Sequence, residues 1–269
     1  MSLKCFEPSI SAARRDEIAG ALKDIEREHG VRILFAIESG SRAWGFPSPD
    51  SDYDVRFVYA HPIDWYLSLE PGRDVIERPI VGDLDINGWE LRKALNLLRK
   101  PNPVMLEWLS SPIRYRWEAA VADRLIALAE LTAPAAACVH HYLHLGEGQL
   151  RQHFEGRDTV GYKKYFYVLR PALALRWVRL NPSDAPPMNI QAMSARLSLE
   201  AEESAAIDRL VALKAVAREA GEGPRIAPLD RLIEAEFAHA RRAAPATRRS
   251  GLYEEADALF RAIVLEGRP

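Results

Sequence analysis

The stretch ESGSRAWGFPSPDSDYDVR, residues 38–56, decides how this chain is read. It is entered from VRILFAIE (31–38), which is β-branched and aromatic and too short for a core helix, so it predicts a buried strand that ends at Gly40-Ser41. SGSRAWGFPSPDSD (39–52) holds two Pro, two Gly and four Ser and reads as a loop. YDVRFVYA (53–60) alternates in and out as a second strand. Residues i and i+2 of a strand share a face, so Asp52 and Asp54 aim two carboxylates at one point while Tyr53 and Val55 turn to the core. A Gly-Ser turn after a buried strand exposes backbone N–H groups and a hydroxyl to a phosphate, because glycine lets the backbone approach closely. Two hard oxygen donors at that spacing suit Mg²⁺, which takes one or two carboxylates plus substrate phosphates. About thirty residues on, DLDI (83–86) places Asp83 and Asp85 on one strand face. A third carboxylate there is what a two-metal site for phosphoryl or nucleotidyl transfer requires.

Outward from this segment the chain shows two regimes. SAARRDEIAGALKDIEREHG (11–30) spaces Ile18, Leu22 and Ile25 by three and four and stops at Gly30, an amphipathic helix. HPIDWYLSLE reads as a short helix or turn, and VIERPI (75–80) and DLDING (83–88) as the third and fourth strands. GWELRKALNLLRK (88–100) opens a helix with Leu91, Leu95 and Leu98 on one side, and VMLEWL forms another after Asn102-Pro103. From there helices fit 117–131, 134–154, 162–180, 200–220, 228–242 and 251–266. NPSDAPPMN (181–189) reads as the best internal linker and RRAAPATRRSG (241–251) as a second, basic break. The expectation is an α+β protein: a sheet domain over 1–115 and an all-α domain over 116–269.

The 269 residues carry 36 Lys+Arg and 38 Asp+Glu, a formal charge of -2, with 48% hydrophobic residues. That composition argues against disorder and against a strongly basic duplex-binding domain, while leaving room for a local basic groove. Cys5 and Cys138 lie 133 positions apart, which gives neither a disulfide framework nor a cysteine-rich zinc site. No apolar run is long enough for a membrane helix, and MSLKCFEPSISAARRDE has no signal-peptide h-region, so a cytoplasmic protein is expected.

The order Gly-Ser, about ten residues, Asp-x-Asp, then a later lone Asp on a strand resembles the DNA polymerase β-like nucleotidyltransferase superfamily. Five pieces in order, SGSRAWGF (39–46), DSDYDVRFVY (50–59), DINGWELRKAL (85–95), NPVMLEWLSSPI (102–113) and KKYFYVLRPALALRW (163–177), resemble its bacterial and phage branch linked to RNA repair. The resemblance implies a nucleotidyltransferase palm, a short mixed β-sheet flanked by helices, followed by a helical bundle. It implies two Mg²⁺ ions, with Mn²⁺ as a substitute, and an NTP such as ATP as substrate. By carry-over Asp52, Asp54 and Asp85 hold the metals and are the catalytic carboxylates, and Gly40, Ser41 and Arg42 touch the triphosphate. The favoured acceptor is an RNA 3′ end. A small-molecule hydroxyl, a protein side chain, or a non-catalytic nucleotide-binding protein on the same fold are the alternatives. The oligomeric state is not legible in the sequence.

Other residues compete for roles. Lys163, Tyr167 and Arg170 share a helix face at spacings of four and three, beside Lys164, and are expected to bind triphosphate oxygens and a base or ribose. Arg92 and Lys93 read as the charged outer face of their helix. Asp83 and Glu90 are rivals of Asp85 for the third carboxylate, and Glu38 reads as a cap or brace of the Gly-Ser loop. His140 and His144 have zinc-compatible spacing, but no acid completes an HExxH pattern, so a polar helix face, shared with His141 and His153, is the preferred account. Trp89 and Trp108 read as core, whereas Trp44 lies inside the active-site loop and is a candidate to stack a base.

Overall fold

The structure, a computed structural model, describes residues 10–70, 72–100, 102–132, 134–216, 221–243 and 252–266. Cys5 and most of the 241–251 break lie outside the described residues. Along the chain the elements begin α1 (Ala12–His29), β1 (Arg32–Glu38), α2 (Gly40–Trp44), β2 (Tyr53–Ala60), α3 (Ile63–Tyr66), β3 (Val75–Glu77), β4 (Leu84–Glu90), α4 (Leu91–Arg99), α5 (Pro103–Leu109) and β5 (Arg114–Trp117). They continue α6 (Ala119–Leu131), α7 (Pro134–His153), β6 (Thr159–Gly161), α8 (Tyr162–Leu180), α9 (Ile190–Arg196), α10 (Ala201–Val216), β7 (Glu222–Pro224), α11 (Ala227–Arg242) and α12 (Tyr253–Glu266). The described residues form two compact units: a sheet unit of 10–40, 52–132 and 252–266, and a helical unit of 41–51 and 134–243.

In the sheet unit the strand order is β3-β4-β2-β1-β5. The sheet is mixed, since β2 and β4 run parallel while every other neighbouring pair is antiparallel. This is the expected α+β sheet flanked by helices. α1 begins at Ser11, whose side chain accepts the Arg14 backbone N–H at 3.2 Å, and ends at Gly30 in the left-handed region. Its Ile18, Leu22 and Ile25 are covered and pack with Val31 and with Ile33, Val55 and Phe57 of the sheet. Burying such a face stabilises by roughly 1.5–3 kcal/mol per large aliphatic side chain.

Three features depart from the sequence reading. β4 runs on to Glu90, so α4 starts at Leu91 rather than at Gly88. Gly88 is there for the strand: a Cβ on it would lie 2.2 Å from the Phe57 ring on the neighbouring β2. RYRW (114–117) forms an edge strand beside β1, with Phe35 opposite Trp117, so a boundary between 115 and 116 cuts a strand. α6 and α12 belong to the sheet unit, where Arg124 of α6 and Glu266 of α12 pair at 2.8 Å.

In the helical unit α8 is the centre, packed against α7 and α11. Arg176 of α8 is held by Glu203 at 2.9 Å and by the buried Glu236 at 2.8 Å. The stretch 181–189 is not a spacer, because it lies inside this unit with Met188 fully covered. Its Pro and Asp residues signal a turn, while Met188 and Ile190 anchor the turn in the core. Among the described residues no helix is long and apolar enough to cross a membrane.

Candidate active site

Parallel pairing of β2 with β4 sets Asp54 directly opposite Asp85. On β4 the buried positions are Leu84, Ile86, Gly88 and Glu90, so Asp85 stands on the other, partly open face. Arg56, two residues beyond Asp54 on the same strand face, reaches both acids through one nitrogen: its Nη2 donates to Asp54 Oδ1 at 3.0 Å and to Asp85 Oδ2 at 2.7 Å. Two carboxylates this close repel unless a cation stands between them, and the guanidinium supplies that charge. The three side chains are only 18–29% exposed, so the pairing is poorly screened.

Gly40 closes the same site from the end of β1. Its φ is +59°, and a Cβ built there would lie 1.8 Å from Asp54 Oδ2. The position therefore demands glycine twice, for its left-handed backbone and for the carboxylate against its Cα. Glu38, fully buried, accepts the Asp54 backbone N–H at 2.9 Å and the Tyr115 hydroxyl at 2.5 Å. It braces the strand that carries Asp54.

Asp52 precedes β2 and is exposed, and no His, Cys, Asp or Glu trio among the described residues is gathered into one metal-sized cluster. The Asp83 carboxylate is engaged by Arg14 of α1 at 2.9 and 3.1 Å. Glu90 faces the core side of β4, where it accepts the Tyr66 hydroxyl at 2.6 Å and the Arg92 N–H at the start of α4 at 2.8 Å. Burial holds its carboxyl above the usual carboxylate range.

In the helical unit, the segment 41–51 is tied by its own side chains. Ser41 Oγ donates to Ser51 Oγ at 2.9 Å, and the Arg42 guanidinium donates to the Ser51 carbonyl at 2.6 Å. Gln191 of α9 donates to the Gly45 carbonyl at 2.6 Å. Part of the expected loop is helical, since Gly40–Trp44 form α2. Arg170 is buried, lies 4.8 Å above the Trp44 ring and donates to the Met188 carbonyl. Trp44 thus has one face covered by a guanidinium. Tyr167 is half-buried beneath Lys164, and Lys163 is exposed on the same helix. His140 and His144 stack in parallel at 6.2 Å.

Two residues escaped the sequence reading. Arg56 follows the same i, i+2 rule that singled out Asp52 and Asp54, so continuing the alternation by one step finds it. Lys214 of α10 is 3% exposed, with its ammonium 4.6 Å from the centre of the Phe46 ring and 5.5 Å from that of Phe166. Burial pushes its pKa down to about 8, helped by the charge of Lys163 and opposed by Asp50. A lysine on the stripe Ile207, Leu210, Val211 was the available signal.

A family model described as RlaP, the RNA repair pathway DNA polymerase beta family, matches residues 14–262. The uncharacterized protein YcgL of Bacillus subtilis (strain 168) is 44% identical over 223 residues, covering 83% of this chain and 85% of its own. A crystal structure of a nucleotidyltransferase-like protein from Exiguobacterium sibiricum aligns over 93% of this chain and 92% of its own, at 13% identity and a TM-score of 0.29. The extent of the family match, and the identity to YcgL across most of both chains, place this chain in the RNA repair pathway DNA polymerase beta family.

Proposed function

We propose that the protein is a nucleotidyltransferase that moves an NMP from an NTP to an acceptor hydroxyl, with pyrophosphate leaving, and that the acceptor is an RNA 3′ end. One observation carries the reading: at one level of the β2–β4 ladder Asp54 and Asp85 share a single guanidinium, and the Asp54 carboxylate lies where Gly40 has no side chain. Two hard oxygen donors with a cation already at them suit Mg²⁺, with Mn²⁺ as a substitute. Asp54 and Asp85 would hold it, joined by Asp52 on the strength of the family resemblance. When bound, the metal would offset the charge that builds on the transferring phosphoryl group.

The protein's own residues do the rest. Asp85 accepts or orients the proton of the attacking hydroxyl, a role that needs a partly open carboxylate. Arg56 keeps the two acids together until cation and substrate arrive. Glu38 fixes the Asp54 backbone and so the carboxylate's height on the strand. Ser41, Arg42, Lys163, Tyr167 and Arg170 are assigned to the triphosphate and the base, an assignment that rests on residue type and family resemblance.

The test incubates the pure protein with each α-radiolabelled NTP and Mg²⁺, with and without an RNA bearing a free 3′ hydroxyl. Label extending the RNA, lost in Asp54→Ala, is the expected result. Label confined to the protein would transfer the role of acceptor to a side chain. A protein that binds NTP and labels nothing would overturn the enzymatic reading.

A further inference from the structure

The sheet unit contains an open groove of about 280 Å³ between α4 and α12, lined by Arg92, Asn96, Arg99, Tyr253, Asp257 and Phe260. Arg92 lies 5.3 Å above both the Tyr66 and the Phe260 ring, and Arg99 lies 5.7 Å above that of Tyr253. Neither guanidinium has an ion-pair partner among the described residues. The acid of the groove, Asp257, is held by Arg261 at 2.8 Å. On the other side, Glu90 bonds Tyr66 and the first turn of α4 and makes only a charge–charge contact with Arg92. Lys93, next to Arg92, is already paired with Asp74. The groove therefore presents two guanidiniums that no salt bridge holds, Arg92 only near Glu90 and Arg99 only against the Asn96 amide oxygen at 3.4 Å, and a tyrosine ring that is 63% exposed.

That combination suits a chain of phosphates with bases attached, in which guanidiniums take phosphates and an exposed ring stacks a base. Arg92 and Arg99 are seven residues apart on one helix, about 10 Å along its axis at ~1.5 Å per residue. Arg92 over Phe260 and Arg99 over Tyr253 are each seated on a different ring of α12, which suits phosphates spaced along a strand better than the contiguous phosphates of one mononucleotide. A stacked single strand, rising roughly 3.4 Å per nucleotide, covers that distance in about three steps. The groove also starts at the opposite end of β4 from Asp85, about 17 Å along the strand at ~3.3 Å per residue. We infer that the α4–α12 groove binds single-stranded RNA, holding the body of the acceptor strand at a distance from its reacting end. This rests on the reading of an RNA end as the acceptor.

The test measures binding of a labelled single-stranded RNA 12-mer by fluorescence anisotropy, without NTP, at several salt concentrations, using the full-length protein. ATP binding is measured in parallel. In R92Q/R99Q the RNA affinity falls at least tenfold, and the slope of log affinity against log salt flattens by about 1.4, the loss of two single-strand phosphate contacts. ATP affinity stays within twofold. Asn96→Asp, which places a negative charge where Asn96 Oδ1 already accepts from Arg99 Nη2 at 3.4 Å, offsets that guanidinium without removing it, so it weakens RNA binding and keeps the inference testable should the double variant fold poorly. Wild-type binding with unchanged affinity and slope in both variants overturns the groove alone. Loss of ATP rather than RNA affinity makes the groove a mononucleotide site and also overturns it. A wild-type protein that binds no RNA overturns the groove together with the RNA acceptor.

Discussion

Asp85 and Glu90 stand five residues apart on β4 and differ in parity, so they face opposite sides of the sheet. Asp85 is 29% exposed and shares a guanidinium with Asp54. Glu90 is 1% exposed and spends its oxygens on Tyr66 and on the N–H groups that open α4. One acid keeps a carboxylate available to something outside the protein, while the other is consumed in joining a strand to a helix. An acid near a candidate site is thus assigned by the face it occupies and by how many of its oxygens are already committed.

Substitutions can break this division. Asp54→Ala is expected to lower transfer by at least about a thousand-fold, with an unchanged melting temperature; a comparable loss of stability would make the pair structural. Gly40→Ala forces a methyl into the Asp54 carboxylate and holds a left-handed φ, so transfer should drop on the order of a hundredfold, as for a 1 Å misplacement. Its stability should fall by about 1 kcal/mol, read by denaturant titration. Glu90→Ala should do the reverse. It strands a tyrosine hydroxyl and uncaps α4, costing about 2–3 kcal/mol, and the folded fraction should turn over at the normal rate.

Smaller effects sharpen the picture. Lys214 has a folded pKa near 8 against 10.5 in the unfolded chain, so the unfolded state holds more protons between those values and stability should rise with pH there. The window to measure is pH 8 to 9.5, below the region where Tyr59, Tyr66 and Tyr165, all raised by burial, begin to oppose the trend. Lys214→Met should abolish the rise, which is on the order of 3 kcal/mol over the full range, and a persistent rise would assign it to another group. Asp83→Asn removes a half-exposed pair with Arg14 and should cost at most about 1 kcal/mol while leaving transfer intact. A large loss of transfer would return Asp83 to contention as the third carboxylate.

Much of this was legible in the chain. β1 and β2 were clear because β-branched and aromatic residues fill them and turn formers bound them, and the Asp54 and Asp85 positions followed from strand parity. What parity cannot give is the partner across the ladder: that β4 lies parallel to β2, with Asp85 level with Asp54, is a matter of topology. The limit of β4 was misread because Gly88 looks like a helix boundary, whereas it is a strand residue shaped by the Phe57 ring. RYRW was missed as a strand because two arginines disguise an edge whose outer side needs no apolar cover. Asp52 and Asp54 look equivalent in sequence, yet Asp54 lies within β2 opposite Asp85 while Asp52 precedes the strand.

The parallel ladder also has a consequence for synthesis. Asp54 and Asp85 are separated by a crossover that contains α3 and β3, and β3 itself pairs with β4 at the sheet edge. A nascent chain that has released residues up to about 80 already holds Gly40, Glu38 and Asp54, but β2 has no parallel neighbour. The carboxylate pair therefore comes into being only when a non-local strand docks, a slow kind of step in folding. A half-made chain holds Asp54 with Arg56 beside it but does not yet hold Asp85. Any chemistry that depends on both is withheld from incomplete molecules by the order of strands alone.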